Sequence, residues 1–166
     1  MIIKYFPPDG LRINNIDLKW KEDRTIIRNL LNNTHSAADQ FIDLSKDFGG
    51  NDEYNIDLKR DVYTNLFNSK SLFFLNYSKN NLLRDVEIHS GIEVQLNNII
   101  ISFDLTLKQV IYKLGEISKR IKKVDINEYY FEDLKLIVAD KKKMGNKGNT
   151  LGYVYFTDDT SHLMNL

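Results

Sequence analysis

The chain has 166 residues, of which 42% are hydrophobic and 28% charged, and its formal net charge is zero. That composition fits a soluble globular domain rather than a disordered chain, and it argues against a dedicated nucleic-acid or membrane-surface binder, which would carry a basic excess. The absence of cysteine excludes disulfides and thiol chemistry, and no apolar run approaches the roughly 18 to 20 residues that span a bilayer.

The opening MIIKYFPPDG has too short an apolar run for the core of a secretory signal, so a cytoplasmic protein is expected. Residues Ile2 to Phe6 read as a strand that Pro7-Pro8 ends, because proline cannot donate to a ladder. Leu11, Ile13, Ile16, Leu18 and Trp20 alternate around Asn14-Asn15, which is a hairpin pattern with one buried face. Asp23 is an N-cap candidate for a helix whose Ile26, Ile27, Leu30 and Leu31 share a face. Ser36 to Phe48 reads as a second helix, with Ala37, Phe41, Leu44 and Phe48 as its stripe and Gly49-Gly50 as its stop. Asn51 to Asp61 reads as an acidic loop.

Three β-rich runs follow: Val62 to Phe67, Ser71 to Tyr77 and Leu83 to His89. The stretch Ile92 to Gly115 then repeats the opening plan in sharper form. Ile92, Val94 and Leu96 alternate, Asn97-Asn98 turns, and Ile99, Ile101 and Phe103 share a face. Thr106 with Gln109 forms a capping box, Leu107, Val110, Ile111 and Leu114 give the helical stripe, and Gly115 suits a left-handed C-terminal position. Lys119 to Ile126 is a basic segment of ambiguous strand character. Leu134, Leu136 and Val138 pair with Leu151, Tyr153 and Tyr155 across a flexible loop, Lys141 to Asn149, and the tail Ser161 to Leu166 has little to hold it.

Setting Asn14-Asn15 on Asn97-Asn98 aligns Trp20 with Phe103, Ile27 with Val110 and Leu31 with Leu114. The expectation is an α+β fold: one compact domain over residues 1–166, with antiparallel sheets and helices packed on one face. It would be built from two related hairpin–helix–strand units, 1–90 and 91–166.

No nucleophile elbow, P-loop or calcium-loop pattern is present, and His35, His89 and His162 lack metal-ligand spacing, so no catalytic residue, cofactor or metal is expected. Charge is the asymmetric feature. Asp39, Asp43, Asp47, Asp52, Glu53, Asp57 and Asp61 outnumber Lys46, Lys59 and Arg60, while lysines dominate from Lys108 to Lys147. Asp39, Asp43 and Asp47 would form one ridge of the second helix, with Glu53, Tyr54 and Asp57 beside it, as a face for a basic partner. The duplicated plan resembles small bacterial immunity and inhibitor proteins, some of which are duplicated helix-and-sheet units that block an enzyme with one face. That resemblance implies a non-enzymatic protein whose partner is a toxin with a basic surface, and no membrane. Two alternatives stay open: a nucleic-acid module using 119–123 and 141–147, which zero net charge disfavours, and an enzyme assembled from scattered residues.

Overall fold

In the computed structural model, which describes residues 1–50 and 55–160, the chain is mostly strand. Its elements are β1 (Ile2–Phe6), β2 (Gly10–Ile13), β3 (Ile16–Lys19), α1 (Arg24–Leu30), β4 (Ser36–Ala37), β5 (Gln40–Ile42), β6 (Ile56–Thr64), β7 (Leu72–Tyr77), β8 (Leu83–Ser90), β9 (Glu93–Leu96), β10 (Ile99–Ile101), α2 (Leu107–Leu114), β11 (Ile121–Asp125), β12 (Glu128–Phe131), β13 (Leu136–Asp140) and β14 (Leu151–Thr157). They form two sheets. A five-stranded sheet has the order β10-β9-β1-β2-β3, and a nine-stranded one runs β11-β12-β13-β14-β8-β7-β6-β4, with β5 also on β6.

The fold is α+β and antiparallel apart from the β1–β9 pair. Residues paired across antiparallel strands share a face, so the large sheet's inner face can be read in rows. One row is Tyr63, Phe73, Ile88, Val154 and Val138, and every member is fully buried. The next is Asp61, Leu75, Val86, Phe156, Leu136 and Phe131, equally buried and apolar except for its first member. The small sheet lies over these rows: Tyr5 of β1 stacks on Phe156 of β14 with centroids 4.3 Å apart. Both helices cover the same face, α1 through Ile27 and Leu31 and α2 through Leu107, Val110 and Leu114.

Asparagine does much of the turning. Asn14 and Asn97 open their hairpins at φ 52°, and Asn32, Asn33, Asn65, Asn68, Asn81 and Asn127 also take positive φ. Asn tolerates this region because its short side chain bonds locally. The two hairpins, both helix N-caps and the sheet order correspond between halves, with β6, β7 and β8 on one side of the β8–β14 seam and β14, β13 and β12 on the other. Trp20 and Phe103 both pack against the main core. β1 and β5 have no counterpart in the second half, so common origin of the halves stays a proposal.

Both helix starts form as their side chains dictate. Asp23 accepts from the Thr25 and Ile26 N–H groups, and Thr106 and Gln109 close a reciprocal capping box. Thr106→Ala is expected to lower stability by about 1 kcal/mol, read from a urea transition at unchanged slope.

Four expectations are corrected. Ser36 to Phe48 is not a helix: β4 and β5 pair with β6, and only Ser45–Phe48 forms a 3-10 turn. Asp39, Asp43, Ser45 and Asp47 are weak helix formers, and the unpaired edge of β6 offered backbone partners instead. The acidic connection is shorter than expected because β6 already begins at Ile56, and Leu66–Asn68 is a 3-10 turn outside it. On α1 the buried line is Arg24, Ile27 and Leu31, while Ile26 and Leu30 face solvent. Gly115 is right-handed, φ −64°, because the chain continues through another turn to Ser118. The strand β12 carried no expectation, and the tail Ser161 to Leu166 lies outside the described residues.

Candidate functional site

The structure turns the expected acidic helix into a ribbon. β5 leaves the edge of the large sheet and pairs with the first residues of β6, with Gln40 opposite Leu58, Phe41 opposite Asp57 and Ile42 opposite Ile56. Ile42 and Ile56 therefore share one face and Phe41 occupies the other. Among the described residues none of the three joins the core: Phe41 is 65% exposed, Ile42 45% and Ile56 48%. Asn55 closes the ribbon by accepting from the Leu44 and Ser45 N–H groups at 2.8 and 3.1 Å.

The ribbon is anchored at its base by arginine. Arg24, nearly buried on α1, donates to both oxygens of Asp39 at 2.9 and 2.6 Å and to Asp61 at 2.6 Å. Its guanidinium also reaches the Arg60 carbonyl at 3.1 Å and lies 5.1 Å over the Tyr77 ring. Arg28, one turn along α1, adds two bonds to Asp61 at 2.8 and 2.6 Å. Asp39 in turn accepts the Arg60 N–H at 3.0 Å, and Ala38 N–H bonds the Arg60 carbonyl. One side chain thus ties α1, the sheet and the strand leading into the ribbon. Two carboxylates face two guanidiniums, so the cluster is neutral.

The electrostatics follow from these contacts. The Arg24 hydrogen bonds hold the Asp39 carboxyl down to about 2. Burial pushes Asp61 up, but the bonds from Arg28 and Arg24 outweigh it and keep the carboxyl below its usual value. Burial and the neighbouring Asp61 raise the Tyr63 hydroxyl, and burial and neighbouring Tyr63 raise that of Tyr77. Because both carboxyls are depressed on folding, their stabilisation is full above the unfolded value near about 4 and is lost as pH falls through the folded value. The melting temperature should therefore drop as pH is lowered from about 4 toward about 2, and Asp39→Asn should flatten that drop. An unchanged profile in the variant would show that the Asp39 bond is not formed.

The expected acidic residues are separated by role. Asp39 is consumed by the Arg24 anchor and is not a free rim charge, which corrects the expected ridge. Asp43 accepts from the Ser45 N–H and hydroxyl at 2.9 and 2.6 Å and remains exposed at the ribbon's end. Asp47 is exposed on the 3-10 turn. Asp57 is on the ribbon and pairs with Lys59 at 3.0 Å. Glu53 and Tyr54 lie outside the described residues. Sequence reasoning missed Arg24 and Arg28. Their spacing of four, in line with Ile27 and Leu31, was the available signal that two cations face inward.

The basic segments are partly neutralised within the chain. Arg120 binds Asp133, Lys122 binds Glu132, and Lys143 folds back onto Asp125 and Glu128. The remainder of the 141–149 loop is exposed, as expected. His35 lies 6.2 Å from the Tyr63 ring, and His89 Nε2 approaches Glu87 at 2.7 Å outside hydrogen-bond alignment. Among the described residues no three His, Asp or Glu side chains gather as a metal site, and no helix is long and apolar enough to cross a membrane. No protein-family model, curated protein or solved structure matches this chain.

Proposed function

We propose that this is a cytoplasmic, non-enzymatic immunity protein, which neutralises a toxin by inserting the β5–β6 ribbon into the toxin's basic cleft. The observation that carries the reading is the exposure of Phe41, Ile42 and Ile56 on an anchored ribbon bordered by Asp43, Asp47 and Asp57. Apolar side chains held in water on a projecting element are what an interface centre requires, and surrounding carboxylates supply steering and register. The Arg24 anchor lowers the ordering cost of docking, because the strand entering the ribbon is already fixed. A nuclease toxin, whose cleft is basic to hold phosphates, has the complementary chemistry.

The test is growth protection by this protein in cells that express candidate nuclease toxins. Asp43→Lys with Asp47→Lys should slow association and steepen failure at low expression; Phe41→Ser with Ile56→Ser should abolish protection. Both variants should fold, since Asp43 and Asp47 are exposed and Phe41 and Ile56 stand outside the described core. Asp39 is left intact because reversing it would break the anchor. Full protection by both folded variants would rule the ribbon out.

A further inference from the structure

The large sheet has two edges that no described strand covers, and they differ in charge. At one end the β4–β5 edge carries exposed Phe41 and Ile42 with Asp43 and Asp47 following. At the other, β11 is exposed along nearly its whole length, with Ile121 38% exposed and Lys119 and Lys123 in solvent. Every neighbouring pair from β11 to β5 is antiparallel. Following those pairings across the sheet leaves β5 running opposite to β11. A copy set beside the sheet in the same orientation would therefore present its β11 to β5 in antiparallel sense, the pairing that continues the ladder without a reversal.

We infer that free chains associate head to tail, the β4–β5 edge of one copy pairing with β11 of the next. Charge selects this arrangement from the three that two edges allow. An antiparallel β5–β5 pair about Phe41 would set Asp43 of each copy opposite Asp39 of the other, and a β11–β11 pair about Lys123 would set lysine on lysine; like charges directly across a ladder are destabilising. Only the mixed pairing sets carboxylates against lysines and apolar Phe41 and Ile42 near Ile121. Such a contact is heterologous and open-ended, so its products grow with concentration instead of stopping at a dimer. It covers the same ribbon that the proposed toxin contact uses, so assembly and toxin binding exclude each other, yet it stands on the sheet edges alone.

Analytical ultracentrifugation of the purified chain over a dilution series, at low and high salt, tests it. The wild type should show species larger than a dimer that dissociate on dilution and in high salt. Asp43→Lys/Asp47→Lys alone and Lys119→Glu/Lys123→Glu alone should each weaken association by about tenfold or more. A chain carrying all four changes should associate again, because its edges are complementary with the signs exchanged. A wild type that is monomeric throughout, or one whose association ignores both single-edge reversals, would overturn the inference. Because Asp43 and Asp47 serve both contacts, Lys119→Glu/Lys123→Glu separates the two readings: it should weaken association and leave toxin protection intact.

Discussion

Replacing Asp61 by Asn is expected to destabilise the protein by about 3–5 kcal/mol, because the half-buried Arg28 loses its Asp61 partner and the buried Arg24 keeps only Asp39 as counter-charge. Asp61 has no solvent exposure and sits at the end of a core row whose other members are Leu75, Val86, Phe156, Leu136 and Phe131. The companion experiment replaces all three members, Arg24→Met, Arg28→Met and Asp61→Leu. A buried ion group exchanged for apolar residues of similar volume is often neutral or stabilising, so this chain should recover wild-type stability or exceed it. It should nevertheless lose amide protection at residues 38–42, since Asp39 no longer has Arg24 to hold it. Stability would then be separated from positioning. A triple variant that keeps that protection would show that the ion cluster does not anchor the ribbon.

Gly91→Ala is the second large effect. Gly91 sits at φ 70° where the chain leaves β8 for the small sheet, and a Cβ there would lie 1.4 Å from the Lys70 carbonyl oxygen. That partner is backbone, so no rotamer change relieves the overlap. The left-handed conformation adds about 1–2 kcal/mol for a residue with a Cβ, and forced backbone movement about 1–3 kcal/mol more. The expected outcome is a loss of several kcal/mol in a denaturant transition, or failure to accumulate as soluble protein. A variant as stable as wild type would mean that the 70–71 and 90–91 backbones are farther apart than described.

The elements read correctly from the sequence are those whose local chemistry and burial agree. The β2–β3 hairpin and β9 alternate in sequence, and β10 in burial, because one face of each strand is buried, and Asn14 and Asn97 take the positive φ that their turns need. Thr106 and Gln109 announce α2 because both halves of the capping box are side-chain groups four residues apart at most. Ser36 to Phe48 failed for the complementary reason. Its spacing of Phe41 and Leu44 imitates a helical stripe, but the determinant of its structure is the distant edge of β6, which no local pattern encodes. The candidate site was legible in part. Its place in the chain follows from the charge asymmetry, while the division of labour among its carboxylates depends on Arg24, brought to Asp39 and Asp61 only by folding. A core row ending in aspartate is invisible until the register of β6 on β7 is known.

The central claim is that the ribbon is the surface through which this protein engages its partner. Hydrogen exchange on the chain alone and on the chain saturated with a toxin against which it is found to protect tests it most directly. Added protection concentrated in residues 40–47 and 56–59, with the two sheets otherwise unchanged, is the predicted result. Protection that falls on β11, α2 or the 141–149 loop while the ribbon exchanges as in the free chain would contradict it.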